Sequence, residues 1–446
     1  MRNCLSSLFD ELFPICRSIT GPGLEASLEI LKRHMPLEVE KVPSGEQVFD
    51  WLAPPEWHFK RAVLTGPEGE NVLDSDHCNL HVVNYSEPVD RQLTLDELQN
   101  HLHSLPDIPE AIPYVTSYYE RRWGFCLSQR QRQGLKPGLY HAKIEAEFKP
   151  EGGVPFASCV LEGESDKEIV LASYLCHPSL ANNELSGPLT LLALYQKLQS
   201  WPRRKYTYRF VVNPETIGSL CFLSRYHEHL QAHMIGGLIL TCLGGPQPSL
   251  SYKFSRTGNS LLDQAVRYAE QNALLPLRLR AFSPQGGSDE RQYCAPGFNL
   301  PMGQIARTVY GEYQGYHNSL DTKAFMGIDQ LLASAEVIER LLQLAEEARF
   351  YENLAPYGEP QLGKRGLYPN VNSPLTWSLS NDALADSRTI LNRILIALNY
   401  SDGQNSLYNI AAECGCKVEE LDPVVQRLVE ASLLKERSPL PGKARL

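Results

Sequence analysis

A chain of 446 residues is long for one hydrophobic core, which predicts two or three domains. With 43% apolar and 21% charged residues it is composed like an ordinary globular protein, which excludes a disordered polymer. The net charge of −10 argues against a general binder of nucleic acid or of anionic membranes.

Residues 1–34 predict two amphipathic helices broken at GPG (21–23), with Leu5, Leu8, Phe9 and Leu12 at helical spacing. From about residue 45 the texture changes to short β-type runs separated by PP, GP and DSD turns. One helix follows Thr94, capped by that residue with Glu97 three positions on. Residues 45–134 therefore read as a mostly β module inserted into a larger domain formed by 1–44 and 135–350. Beyond it, YHAKIEAEF and FASCVLEGE predict a hairpin. EIVLASYL, YTYRFVVN and IGGLILTCL predict buried strands. The helices LTLLALYQKLQ and TIGSLCFLSRYHEHL lie between them, the first with Ser186 as cap and Pro188 in its first turn. This alternation predicts an α/β fold, a mainly parallel mixed sheet flanked by helices. Residues 351–380 read as loop. Three short helices in 365–446 then form a winged-helix pattern, expected to serve self-association or docking. Its third helix carries Glu419, Glu420, Asp422 and Glu430 against Arg427, which would repel phosphate, so no nucleic-acid partner is expected.

Several ionisable residues fall where strands give way to turns. His177 follows the first buried strand, and ANNELSG brings Asn183 and Glu184 six and seven residues later. Glu215 follows the second strand. It suits a general base for metal-bound water, or equally a first-turn Glu favoured by the helix dipole. His317, with Asp321 four residues on, lies in a polar loop; an exposed loop His is usually just solvated. Asp289 and Glu290 form an acidic pair after two glycines, either reaching the same cleft or making an ordinary turn. Zinc takes imidazole nitrogen and carboxylate oxygen. His81 and Tyr85 in the inserted module read as a strand face or as part of a substrate-selecting lid.

Eleven cysteines, odd in number and spread out, predict a reducing compartment; Cys176, Cys221, Cys242 and Cys294 lie beside apolar runs. Asp10 and Glu11 interrupt the N-terminal apolar stretch, which argues against a signal peptide. No run reaches the ~18 apolar residues of a membrane span. A cytoplasmic protein without membrane partners, and a homo-oligomer, is expected.

The order strand-His, small polar loop ending in SG, strand-Glu-x-x-Gly, SD loop and YH-x-x-x-D resembles the zinc aminopeptidases of the bacterial leucyl-aminopeptidase type, over roughly residues 138–345. DWLAPPEW, NLHVVNYS, IPYVTSYYERRWGFCLS, CHPSLANNELSGP and GGSDERQYCAPGFNLP resemble the signatures of aminopeptidase-like proteins often found beside polysaccharide-biosynthesis genes. The resemblance implies a zinc-peptidase-like fold with an inserted β module and a C-terminal winged helix. It also implies hydrolysis of an amide in a small peptide, aminoacyl conjugate or sugar precursor.

The chain departs from that pattern. Two-zinc members place a bridging Asp where Asn183 stands, a zinc-binding Glu where Thr216 stands, and an Asp at Thr241 or Cys242. Asn and Thr are poor replacements for carboxylates. What remains implies one zinc ion held by His177, His317 and a carboxylate, Glu184 first and Asp289 second, with Glu215 as base. Asn183, Glu290, His81 and Tyr85 are the expected substrate contacts. A peptidase fold kept only for binding or assembly is the competing expectation.

Overall fold

The computed structural model describes residues 1–368 and 381–440, with the side chains of 381–386 left aside. The chain forms two compact units: Met1–Arg256 with Pro276–Glu339, and Thr257–Leu275 with the chain from Arg340 onward.

The first unit is built on one mixed sheet. Its strands are β1 (Glu38–Pro43), β2 (Gly153–Leu161), β3 (Glu168–Tyr174), β4 (Thr207–Asn213), β5 (Met234–Leu240), β6 (Leu250–Lys253), β7 (Leu277–Arg280) and β8 (Met302–Ala306). They lie in the order β1-β2-β4-β3-β5-β8-β6-β7. The four central strands β4, β3, β5 and β8 run parallel, and every residue in them is buried. Burial on both faces is why β3, β4 and β5 read as mostly apolar runs. Helices α1 (Arg2–Leu12) and α2 (Pro22–Lys32) precede the sheet, α3 (Ser186–Gln199) joins β3 to β4, and α4 (Ile217–His233) joins β4 to β5. The connections diverge from β3, with β4 on one side and β5 on the other. The crevice outside the carboxyl end of such a strand is where open α/β sheets bind ligands.

The expected hairpin does not form. The strand Leu139–Lys149 pairs with Glu56–Thr65 and Val89–Thr94, and with Asn71–Asp74 these make a separate four-stranded antiparallel sheet. β2 pairs instead with β1 and β4. Burial explains the parting. β2 is buried at nearly every position and needs the interior, whereas Leu139–Lys149 alternates and can leave one face to solvent. The inserted sheet therefore takes a strand from beyond residue 134. Thr94 and Glu97 form the reciprocal cap that their spacing predicts.

Ser186 is not a helix cap. The coil starts as a π-turn over Ala181–Leu185 and runs straight into α3. The Ser186 hydroxyl donates back to Asn182 O and accepts from Leu243 N–H. The cap comes from a distant loop: the Asp321 carboxylate accepts the N–H groups of Asn182 and Asn183, each at 2.8 Å.

In the second unit, helices Asn381–Tyr400, Leu407–Glu413 and Val418–Glu430 pack with a three-stranded sheet. The central strand of that sheet is Phe350–Asn353, which overlaps the stretch read as loop. Four residues are too few to show a period. Residues 369–380 of that expected loop lie outside the described residues. The unit also takes the helix Leu261–Gln271, where Tyr268 stacks on Tyr408 with centroids 4.1 Å apart. Among the described residues no helix is long and apolar enough to cross a membrane.

Candidate active site

Tyr174 and Asn213 pair at the carboxyl ends of β3 and β4, and the two chains then diverge. His177 leaves from one strand and Glu215 from the other. Glu215 is presented by an unusual bend. Ile217 N–H donates to Glu215 O at 2.8 Å, and Thr216 between them has φ 63° and ψ −77°. That is the strained, rare form of γ-turn, and a β-branched residue resists positive φ. Asp289 holds the bend in place. Its Oδ1 accepts Thr216 N–H at 2.7 Å and its Oδ2 accepts Asn213 Nδ2 at 3.2 Å.

The Glu215 carboxylate has one fixed and one free oxygen. Ser288 Oγ donates to Oε1 at 2.7 Å, while Oε2 lies 3.8 Å from His177 Nε2. The side chain stays 29% exposed, so solvent reaches it. Burial raises its pKa, and the charge of His177 opposes only part of that rise. Burial, and then the charge of Glu215, push the neighbouring Asp289 up to about 7.

His177 is clamped from behind. Its Nδ1–H donates to Glu184 Oε2 at 2.7 Å, which turns Nε2 toward Glu215. Arg17, with no exposed side-chain surface, donates to His177 O from Nε at 3.2 Å and lies 3.7 Å from Glu184 Oε1. Burial works against protonation of His177, and Cys176 and Glu184 outweigh it, so its pKa rises.

His317 completes the pair. Its ring centroid is 5.4 Å from that of His177, with Tyr114 packed against both rings and Tyr316 stacked on His317 at 3.9 Å. Burial, then the charge of His177, lower its pKa to about 3, which leaves a neutral ring with a lone pair to offer.

The structure thus gathers His177, His317, Glu215 and Asn183 around one crevice, with Glu184 and Asp289 behind them. Glu290 is engaged elsewhere. It is fully buried, accepts Lys253 Nζ at 2.9 Å, Ser288 N–H at 2.9 Å and Gln304 Nε2 at 3.2 Å, and so locks the loop that carries Ser288. His81 is buried in the module with Nδ1 on Cys126 O at 2.8 Å, and burial lowers its pKa. Tyr85 spends its hydroxyl on Pro55 O and its ring on Phe148 and Tyr118. Sequence reasoning missed Arg17, Tyr114, Ser288 and the capping role of Asp321. Ser288, in GGSDE beside the acidic pair, and Asp321, in YH-x-x-x-D, carried a local signal but not for these roles.

The donor set suits a metal ion. Two imidazoles sharing one tetrahedral ion at Zn–N distances of about 2 Å place their centroids about 5 Å apart, close to the spacing seen. Buried Asn183 Oδ1 has no hydrogen-bond partner, while its Nδ2 donates to Tyr174 OH at 2.9 Å. The His177 and His317 rings therefore have the spacing to share one ion, and the unpartnered Asn183 Oδ1, six residues after His177, is the oxygen that would join them. Both oxygens of Asp289 are already committed, so that residue enters only by breaking the Thr216 bend. A second grouping exists: donors of Cys176, His177 and Glu184 lie within 4.8 Å of one another. An ion there would displace the His177–Glu184 hydrogen bond and sit beside the Arg17 guanidinium, an unscreened like charge. The first grouping fits better.

The fold is that of an aminopeptidase-like protein. The chain belongs to the family described as a domain of unknown function (DUF4910), whose model matches residues 6–348, and a winged helix-turn-helix model matches residues 349–436. A Clostridium acetobutylicum protein, named as a candidate for polysaccharide biosynthesis with an aminopeptidase-like domain, is 38% identical over 429 residues, 96% of this chain and 95% of that protein. The crystal structure of a candidate peptidase from the same organism covers 98% of this chain and 96% of its own, at 37% identity and a TM-score of 0.78. A zinc aminopeptidase from Bacillus subtilis covers 77% of this chain and 93% of its own with a TM-score of 0.56; at 12% identity it shows the shared fold alone.

Proposed function

We propose that the aminopeptidase-like domain hydrolyses an amide bond with Glu215 as general base, at a site that holds one zinc ion through His177 Nε2, His317 and Asn183 Oδ1. The observation that carries this is Glu215 itself. A strained turn aims its free Oε2 at the face of His177 that a metal would take, and Ser288 fixes the other oxygen. A bound zinc ion would supply Lewis acidity toward the substrate carbonyl and toward water.

The chain's own residues supply the rest. Glu184 orients His177 through Nδ1, the usual second partner of a metal-bound imidazole. Glu215 Oε2 takes the proton of the attacking water as its oxygen bonds to the carbonyl carbon. The same oxygen returns that proton to the nitrogen as the C–N bond breaks, leaving a carboxylic acid and a free amine. The substrate is a small peptide, an aminoacyl conjugate or a sugar-linked amide. The name of the Clostridium relative favours the last.

A second reading, a peptidase fold kept for binding, has one observation in its favour. At positions where the two-zinc pattern has carboxylates, Asn183 and either Thr241 or Cys242 stand instead, and they form a neutral network with Tyr174, whose hydroxyl lies 2.6 Å from Thr241 Oγ1. Metal analysis of protein purified without chelator separates the two. The proposal expects close to one zinc per chain, lost in His177→Ala and in His317→Ala. Folded, metal-free parent protein that stays empty when zinc is added moves the balance to the binding reading.

A further inference from the structure

From the two histidines an unbroken run of aromatic rings leads out of the crevice into the inserted module. Tyr114 packs against His177 and His317, and its hydroxyl bonds that of Tyr118. Tyr118 touches Tyr119 at 6.1 Å between centroids, and Tyr119 meets Trp51 edge-on at 4.9 Å. The outer two rings are open: Tyr119 is 60% exposed and Trp51 37%. Large exposed aromatics in contact are unusual on a surface without a partner. Tyr119 lies near enough to Glu215 and Thr216 for both to act on its hydroxyl electrostatically. Next to the shelf is a cavity of about 170 Å³, walled in part by Pro55, Tyr118, Phe148 and Arg121. It is smaller than the roughly 300–1,000 Å³ of a drug-sized pocket and suits a single ring.

We infer that Trp51 and Tyr119 form a subsite for the pyranose ring of a sugar-linked amide, placed so that the amide reaches Glu215. The inference rests on the amide-hydrolase reading for its purpose and deepens it in substrate class. The chemistry of the shelf selects the ligand. A pyranose has one C–H face and a rim of hydroxyls, and needs an aromatic surface on one side and water on the other. An apolar amino-acid side chain gains most from full enclosure, which an open shelf does not give. Glu120 and Arg121 line the cavity and offer an acceptor and donors to the hydroxyl rim. The Arg121 guanidinium lies 4.3 Å from the Phe148 ring centroid, so its position is set in advance.

The test uses N-acetylglucosamine and leucinamide as probes on full-length Glu215→Gln protein, so that turnover plays no part and failure of the base assignment cannot mask binding. Saturation-transfer NMR should show transfer to the sugar C–H protons. That signal should fall at least fivefold in Trp51→Ala and Tyr119→Ala added singly, and Trp51→Phe should keep most of it. Melting curves confirm that each variant is folded; both side chains are exposed enough to remove without opening the core. No transfer to the sugar, transfer unchanged in both alanine variants, or shelf-dependent transfer to leucinamide alone overturns the inference.

Discussion

Glu215 is set apart from the other acidic residues near the crevice by a free oxygen on a side chain that solvent reaches, whereas the unpartnered oxygen of Glu184 is fully buried beside Arg17. Asp289 has both oxygens in hydrogen bonds, and Glu290 is locked to Lys253, Ser288 and Gln304. Glu215→Gln keeps the shape and the Ser288 contact but cannot take a proton. Turnover should fall by roughly 10²–10⁴ with zinc content unchanged, measured on one preparation by rate assay and metal analysis. Loss of both together would make Glu215 a ligand instead. Arg17 is the residue that local sequence could not reveal, since it meets His177 across 160 positions. It is the buried counter-charge of Glu184. Removing one partner of a fully buried pair costs about 3–5 kcal/mol. Arg17→Met should therefore melt well below the parent, and Arg17→Met with Glu184→Gln should recover much of the loss because no charge is then stranded. An unchanged melting point for the single variant would show that the pair is not formed.

At the scale of elements, legibility followed burial. β3, β4 and β5 were readable because two-sided burial demands mostly apolar runs, whereas β6 and β7, LSYK and LRLR, are short and mixed and gave no signal. The hairpin expectation failed because adjacency in sequence says nothing about which sheet a strand joins. His177, Glu215 and His317 could be found as strand-end or loop residues. The bend that aims Glu215 could not, because nothing about Thr in sequence predicts positive φ. That bend stores strain of about 1–3 kcal/mol, while glycine there would cost about 0.5–1 kcal/mol in backbone entropy. Thr216→Gly should thus raise stability by about 1 kcal/mol while lowering turnover, because Glu215 is no longer held. Melting and rate measured together check this, and a rate equal to the parent's would mean the turn does not position the base. In the inserted sheet, hydrogen bonds from Arg61 hold the Asp74 carboxyl well below the usual carboxylate range. A depressed folded pKa stabilises fully above the unfolded value near 3.8 and loses its effect as pH falls below it. Asp74→Asn should be less stable than the parent at pH 7 by about 1 kcal/mol, the scale of a half-exposed pair. The gap should narrow as pH drops from 4 to 3 in melting experiments, and a gap that widens instead would contradict the assignment.

At the scale of the whole molecule, the second compact unit is not a simple C-terminal appendage. It includes the helix Leu261–Gln271, drawn from the connection between β6 and β7. Within the unit that helix is tied to the winged-helix elements by the Tyr268–Tyr408 stack, by Gln264 Nε2 donating to Gln404 O at 2.9 Å and by Ser406 N–H donating to Gln264 Oε1 at 2.8 Å. The reading of 365–446 as the third module could not show this, because the helix sits a hundred residues upstream with the same amphipathic pattern as its neighbours. Ending the chain at residue 348 removes Gln404, Ser406 and Tyr408 and strips the Leu261–Gln271 helix of these partners. The same helix carries the fully buried apolar positions Leu262, Ala265, Val266 and Ala269. The shortened protein should bind a hydrophobic dye and aggregate in light scattering. A version that also replaces residues 258–274 with a short Gly–Ser link should return to a single species, because the orphaned helix is gone. If truncation at 348 alone gives a monodisperse protein that binds no dye, the helix does not depend on the winged-helix elements, and the division between the two units lies elsewhere.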